Sequence, residues 1–210
     1  GVSNTRRCWN MFQLPESVES ACNVGCCGID GCVSTLVGAS LVNPDRLCYV
    51  VVGDLTFFYD LNSLGNHHIG TNLRVMLVNN GRGTEFRLGI HHCNVFGDDA
   101  DKYMAAAGHF GNKSPLLVKH YAEDLGFHYL SATTKEEFMT ALSNFTNPQL
   151  SDHSMILEVF TDSKDESEAL YLMSHIQSDA KGMVRSKLKD AVRNVAGEKG
   201  INAIKKILKK

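Results

Sequence analysis

The sequence predicts an α/β domain in which helices cover both faces of a parallel sheet, and three observations predict it. Extended and helical patterns alternate along the 210 residues, as they do when each strand is followed by a crossover helix. Three extended runs, Leu47 to Val52, Leu73 to Val78 and Met155 to Phe160, are close to continuously apolar, as strands buried on both faces are. Turn residues, Gly53-Asp54 and Asn79-Asn80-Gly81, follow the first two runs directly.

In chain order, the first helix is expected over Val33 to Val42, ahead of the strand at Leu47 to Val52. A helix over Leu55 to Leu64 follows the Gly53-Asp54 turn and leads to the strand at Leu73 to Val78. Residues 87 to 114 form a long polar stretch with three His and a short helical patch near Tyr103 to Ala107; loops of this length in α/β domains usually carry function or move. A helix over Pro115 to Leu125, a strand at Phe127 to Leu130 and a helix over Lys135 to Phe145 come next. The last of these has a marked start, because Thr134 can cap it while Glu136 and Glu137 sit near its positive end. Met155 to Phe160 completes the sheet.

The final stretch, "KGMVRSKLKDAVRNVAGEKGINAIKKILKK", reads as two short amphipathic helices hinged at Gly197 to Gly200. The expected organisation is therefore a domain over residues 1–178 and a basic helical tail over 179–210. Net charge is −2, but residues 181–210 hold ten Lys/Arg against Asp190 and Glu198, leaving the rest near about −10. Such a helix pair more often covers a partner domain than binds nucleic acid or an anionic surface, so no nucleic-acid partner is assigned.

At this length, with 43% hydrophobic residues, one good-sized core is expected. Seven cysteines, four of them between Cys22 and Cys32, do not form a secreted disulfide pattern and point to a reducing, cytoplasmic compartment. Neither a spanning apolar run nor a signal peptide is evident. Gly1 in place of an initiator Met suggests a piece of a longer polypeptide.

The chemistry is expected at the strand ends. In open α/β sheets ligands bind beyond the carboxyl ends of strands, where helix N-termini point free N–H groups at anions. An acid such as Asp54 would repel a phosphate there unless a cation lies between them. Mg²⁺ suits the position because it takes carboxylate, amide and carbonyl oxygens and completes its octahedron with phosphate oxygens. His67-His68, His91-His92-Cys93 and the Cys22, Cys26, Cys27, Cys32 group lack the paired spacing of a zinc site. Taken singly, Gly-Asp is often only a helix cap and Asn-Asn-Gly only a turn.

Together these residues carry a resemblance. Gly53-Asp54, a helix and a strand, then Asn79-Asn80, is similar to the motif of the thiamine-diphosphate-dependent enzyme superfamily. The version "GDLTFFYDLNSL", with Leu55 for a third glycine, resembles its menaquinone-pathway synthases. "NVGCCGIDGCVSTLVGASL" at Asn23 to Leu41 resembles their N-R-G-A-S-G-I-D-G segment, and "GVSNTRR" is faintly similar to G-N-S-x-x-x-R. The resemblance implies the three-layer fold that holds the diphosphate half of thiamine diphosphate, the pyrimidine half being held by another domain.

Carried over by position, the resemblance implies Asp54, the Asn80 side chain and the Arg82 carbonyl as Mg²⁺ ligands, with the Gly83 carbonyl as the alternative. An ungapped match would place the liganding Asn opposite Gly81; Asn80 needs a segment one residue shorter. Gly28, Ile29, Asp30, Gly53, Leu55, Thr56, Asn80 and Gly83 become cofactor-binding residues, Ile29 being the apolar wedge that keeps the cofactor bent. Ser3 and Arg7 match substrate-binding positions.

The implied activity, a lyase or transferase type, is decarboxylation of a 2-oxo acid and transfer of the resulting carbanion by a homodimer. No catalytic residue is assignable within this stretch, since the glutamate that activates the cofactor comes from the other domain in this family; alone, the fragment is expected to be inactive. Val24 replaces an arginine for the substrate carboxylate, and Cys26-Cys27 replace Ala-Ser. Those departures imply different substrates, or a domain that keeps the fold as a non-catalytic subunit or scaffold.

Overall fold

Four strands, β1 (Cys48–Gly53), β2 (Leu73–Asn79), β3 (His128–Ala132) and β4 (Met155–Phe160), form one parallel sheet in the order β1-β2-β4-β3. The computed structural model describes residues 4–23, 28–87, 91–104, 114–149 and 151–175. Around the sheet lie α1 (Asn4–Trp9), α2 (Cys32–Val42), α3 (Asp54–Asp60), α4 (Ala100–Tyr103), α5 (Leu117–Asp124), α6 (Lys135–Phe145) and α7 (Ser163–His175).

The alternation of side chains along the strands divides the core in two. On one face, Val52, Leu73, Val75, Leu77 and Ile156 pack under Val33, Leu36 and Val37 of α2, Phe57 of α3, and Val118 and Ala122 of α5. On the other, Met155 and Leu157, joined by Met76 and Leu130, meet Ala141 and Phe145 of α6. Tyr49 closes that second face with an edge-on contact to Phe145, ring centres 5.7 Å apart. Each fully buried large side chain contributes about 1.5–3 kcal/mol, so both faces need their helices. The result is the expected three-layer α/β fold.

Most elements fall where the sequence places them, and their ends have local causes. Thr134 and Glu137 form a reciprocal capping box at the start of α6. Beyond α5, Gly126 at φ 82° lets its N–H reach the Glu123 carbonyl and the Phe127 N–H reach Ala122, the paired bonds of a left-handed helix end. That helix begins at Leu117, two residues later than expected, because Pro115 occupies a turn closed by Leu117 N–H on the Ser114 carbonyl. The helix expected to reach Leu64 tightens to a 3₁₀ turn over Leu61–Gly65, where the Ser63 hydroxyl takes the Asp60 carbonyl.

A 3₁₀ turn over Thr84–Arg87 leads into the long polar stretch, where a second over His92–Asp99 precedes the expected patch and the short α4 meets it only at Tyr103. Of that patch, residues 105–107 lie outside the described residues. Two helices, α1 and α7, were not expected. The start of α7 is fixed by Asp162, whose carboxylate accepts the N–H groups of Lys164 and Asp165. The tail over 179–210 lies outside the described residues.

Two strand positions are charged rather than apolar: Arg74 is 0% and Glu158 1% exposed. Arg74 serves the amino end of the sheet, donating to the Thr71 and Leu73 carbonyls and the Ser151 hydroxyl at 2.8–3.1 Å. Glu158 serves the other end. Among the described residues no helix is long and apolar enough to cross a membrane, and Cys8, Cys22, Cys32, Cys48 and Cys93 are free thiols.

Candidate functional site

The carboxyl ends of β1, β2 and β4 meet level. Gly53 lies opposite Val78 and Asn79 opposite Phe160, so Asp54 and the Asn79-Asn80 pair leave the sheet side by side. Asp54 opens α3 and is 2% exposed, with its charge at the positive end of the helix. Leu55 and Thr56 are buried behind it. Leucine in place of a third glycine is accommodated because that position points into the core.

The Asn79-Asn80 turn is built from two overlapping side-chain turns. Asn79 Oδ1 accepts the Gly81 N–H at 3.1 Å, and Asn80 Oδ1 accepts the Arg82 N–H at 3.1 Å. Gly81 sits at φ 78°, a conformation that favours glycine. The position that an ungapped match sets opposite the liganding asparagine is this left-handed glycine, and Asn80 is the side-chain amide next to it.

Beneath the turn lies a buried polar network that sequence reasoning missed. Asn79 Nδ2 donates to Glu158 Oε1 at 2.7 Å, and the Tyr129 hydroxyl donates to Glu158 Oε2 at 2.7 Å. Burial raises the Glu158 pKa; those two donors oppose the rise and the nearby Asp54 charge adds to it. Tyr129 is raised as well, by burial first and then by its bond to Glu158. The only sequence signal was an acid inside an otherwise apolar strand.

Asn80 is held from elsewhere. Its Nδ2 donates to the Thr84 hydroxyl at 2.7 Å and to Glu166 Oε2 at 2.9 Å, while the Thr161 hydroxyl donates to the other Glu166 oxygen. The Arg82 side chain leans toward Asp101 of α4, with 3.7 Å between Nη1 and Oδ2. The Gly83 carbonyl accepts the Phe86 N–H at 3.3 Å, which closes the next 3₁₀ turn. Asp54, the Asn80 amide oxygen and the Arg82 carbonyl make an all-oxygen donor set, which fits Mg²⁺. Among the described residues no group of three His, Cys, Asp or Glu side chains could hold a metal.

The segment before α2 brings Gly28 and Ile29, both half-buried, and the exposed Asp30. The first turn of α2 is tied to α3 by Asp60, the acid of the "YDLN" stretch, whose Oδ2 accepts the Ser34 N–H at 2.7 Å and the Ser34 hydroxyl at 3.0 Å. That stretch thus contains the clamp between the first turn of α2 and the helix that Asp54 begins. Arg7 lies on α1, which packs on α7 through Cys8, its Sγ 4.0 Å from Met173 Sδ. Burial first, then the Glu166 charge, raises the Cys8 thiol. Ser3, Val24, Cys26 and Cys27 lie outside the described residues.

The other candidates stay apart from these groups. His67 and His68 are exposed with ring centres 3.8 Å apart, in a turn beyond the 3₁₀ segment rather than at a helix end. His91 Nδ1 accepts the Cys93 N–H at 3.1 Å, and its ring meets Phe86 edge-on at 5.1 Å. A cleft of about 460 Å³ lined by Leu116, Lys119, Tyr129, Ser131 and Phe160 opens beside the Glu158 network.

No family model matches the chain. Three curated relatives are each named 2-succinyl-5-enolpyruvyl-6-hydroxy-3-cyclohexene-1-carboxylate synthase. The protein of Bacteroides fragilis is 34% identical over 168 residues, covering 80% of this chain and 29% of the relative. That of Phocaeicola vulgatus is 35% identical over 171 residues, covering 80% and 28%. That of Christiangramia forsetii is 35% identical over 170 residues, covering 81% and 28%. The chain spans less than a third of the length of these relatives.

Proposed function

We propose that this chain, which over the matched four fifths of its length belongs to the 2-succinyl-5-enolpyruvyl-6-hydroxy-3-cyclohexene-1-carboxylate synthase family, forms the half of such an enzyme that holds the diphosphate end of thiamine diphosphate. The observation that supports this most is the level meeting of buried Asp54 with the Asn79-Asn80 turn at adjacent strand ends. Mg²⁺ would be held by Asp54, by Asn80 Oδ1 and by the Arg82 carbonyl. When bound, the cofactor supplies a nucleophilic carbon that adds to a 2-oxo acid and lets carbon dioxide leave.

The chain's own residues bind and orient. Gly53, Leu55, Thr56 and Gly83 frame the diphosphate, and Gly81 at φ 78° makes the turn between Asn80 and Arg82. Ile29 packs on the cofactor body, with Gly28 and Asp30 beside it, and Asp60 ties the first turn of the following helix, α2, to α3. Arg7, on α1, and Ser3 contact substrate. Val24, standing where the family has an arginine for a substrate carboxylate, makes the substrates differ from those of the named relatives.

The pyrimidine end is held by a separate domain of the same polypeptide or of a partner in a homodimer, and the assembly works in the cytoplasm. The chain alone does not turn over. The test is carbon dioxide release from a panel of 2-oxo acids by the full-length protein with thiamine diphosphate and Mg²⁺. Release that stops on chelation is expected; a cofactor-loaded protein that decarboxylates none of them contradicts the activity and leaves a non-catalytic domain.

A further inference from the structure

We infer that Glu166 is a positioning residue that fixes which way round the Asn80 amide sits, and thereby aims its oxygen at the metal; this rests on the Mg²⁺ reading above. An amide has two nearly isosteric ends, and only one of them ligates a cation. An ionised carboxylate accepts hydrogen bonds and donates none. With Glu166 Oε2 2.9 Å from the Asn80 side chain, the end facing it has to be the NH₂. Turning the amide over would set oxygen against oxygen.

The neighbours complete the arrangement. The Thr84 hydroxyl lies 2.7 Å from the same nitrogen and takes its second proton. Both protons are then committed, so Oδ1 is the end left for a cation. It accepts one bond, from the Arg82 N–H at 3.1 Å, and keeps a lone pair. Glu166 is itself held from two sides, by the Thr161 hydroxyl just past β4 and by its place in the first turn of α7, whose start Asp162 fixes.

Glu166 accepts from Asn80 with one oxygen and from Thr161 with the other, so its action on the metal runs through Asn80. Its negative charge also draws density toward the amide oxygen, as outer-shell carboxylates do for metal-bound imidazoles.

The experiment is a Mg²⁺ titration of the full-length protein at saturating thiamine diphosphate, with cofactor binding followed by calorimetry. Wild type is compared with Glu166→Gln, Asn80→Asp and the double variant. A glutamine can offer either a donor or an acceptor, so Glu166→Gln is expected to weaken Mg²⁺ affinity about tenfold. Asn80→Asp sets two carboxylates face to face and is expected to lose more. Adding Glu166→Gln to Asn80→Asp should recover affinity, since the amide then donates to the introduced carboxylate.

That recovery is what a purely structural role would not give. Thr161→Val, which frees one carboxylate oxygen and keeps the charge, is expected to shift affinity less in the same direction, and it serves if Glu166→Gln does not fold. Wild-type affinity in Glu166→Gln, or no recovery in the double variant, overturns the inference. Absence of Mg²⁺-dependent binding in wild type instead overturns the site reading on which it rests.

Discussion

The start of α6 and the Asn79-Asn80 turn do the same job, satisfying backbone N–H groups with side-chain oxygens, yet they draw on different parts of the chain. At α6 everything comes from within four residues: Thr134 Oγ1 accepts the Glu137 N–H at 3.2 Å, and Glu137 accepts the N–H groups of Thr133 and Thr134 at 2.7 and 3.2 Å. At the turn, the side chains that accept the backbone are held by Glu158 and Glu166, 79 and 86 residues away. The cap is a property of a short sequence. The turn is a property of topology, since only the insertion of β4 between β2 and β3 brings those carboxylates to it.

The difference sets what damage each region should suffer. Glu158→Ala is expected to do the most, because it leaves the Asn79 amide and the Tyr129 hydroxyl without their buried acceptor; a loss of about 3 kcal/mol in urea unfolding is expected. It should also weaken Mg²⁺-dependent cofactor binding by loosening the turn. Lost stability with unchanged cofactor binding would mean that the turn holds itself, as the cap does.

A pH series sharpens the same point. Burial raises the Glu158 pKa above its ordinary value of 4.5, so the native state keeps that proton to higher pH than the unfolded chain does. Its contribution is full below the ordinary value and is lost as pH rises through the raised one. Thermal melts between acid and neutral pH should therefore show wild type losing stability relative to Glu158→Gln as pH increases. A difference that is flat or grows with pH would contradict the burial of that charge.

Smaller and confined effects are expected at the cap. Thr134→Ala should cost about 1 kcal/mol in unfolding and leave cofactor binding at the wild-type value. The smallest effect concerns Glu137, whose pKa is lowered by its bonds to the Thr133 hydroxyl and to the Thr133 and Thr134 N–H groups. Its contribution is present above the ordinary carboxylate range and is lost as pH falls through the lowered value. Melting curves of wild type and Glu137→Gln should accordingly converge toward acid pH.

What was legible in the sequence divides along the same line. The sheet, the helix bounds at Lys135 and Phe145 and the cap at Thr134 follow from local pattern and were all readable. The position of Asp54 and Asn80 just beyond adjacent strand ends was readable because each turn follows an apolar run directly. Glu158 was not, since one acid in an apolar strand does not say which turn it will support. Nor was Glu166, which lies in a helix that the apolar pattern does not mark, although Asp162 and the acids after it form a start signal. Asp60 was in plain view within a quoted motif, but its bond to Ser34 spans 26 residues and needs α2 packed on α3.

The central claim is that Asp54 and the Asn79-Asn80 turn together hold a metal-bound diphosphate. Its most direct test is calorimetric titration of thiamine diphosphate into the full-length protein, with and without Mg²⁺, beside an Asp54→Ala variant shown to be folded. The expected result is binding that requires both the metal and Asp54. Binding that survives the loss of either one, or no binding by the folded wild-type protein, would contradict it.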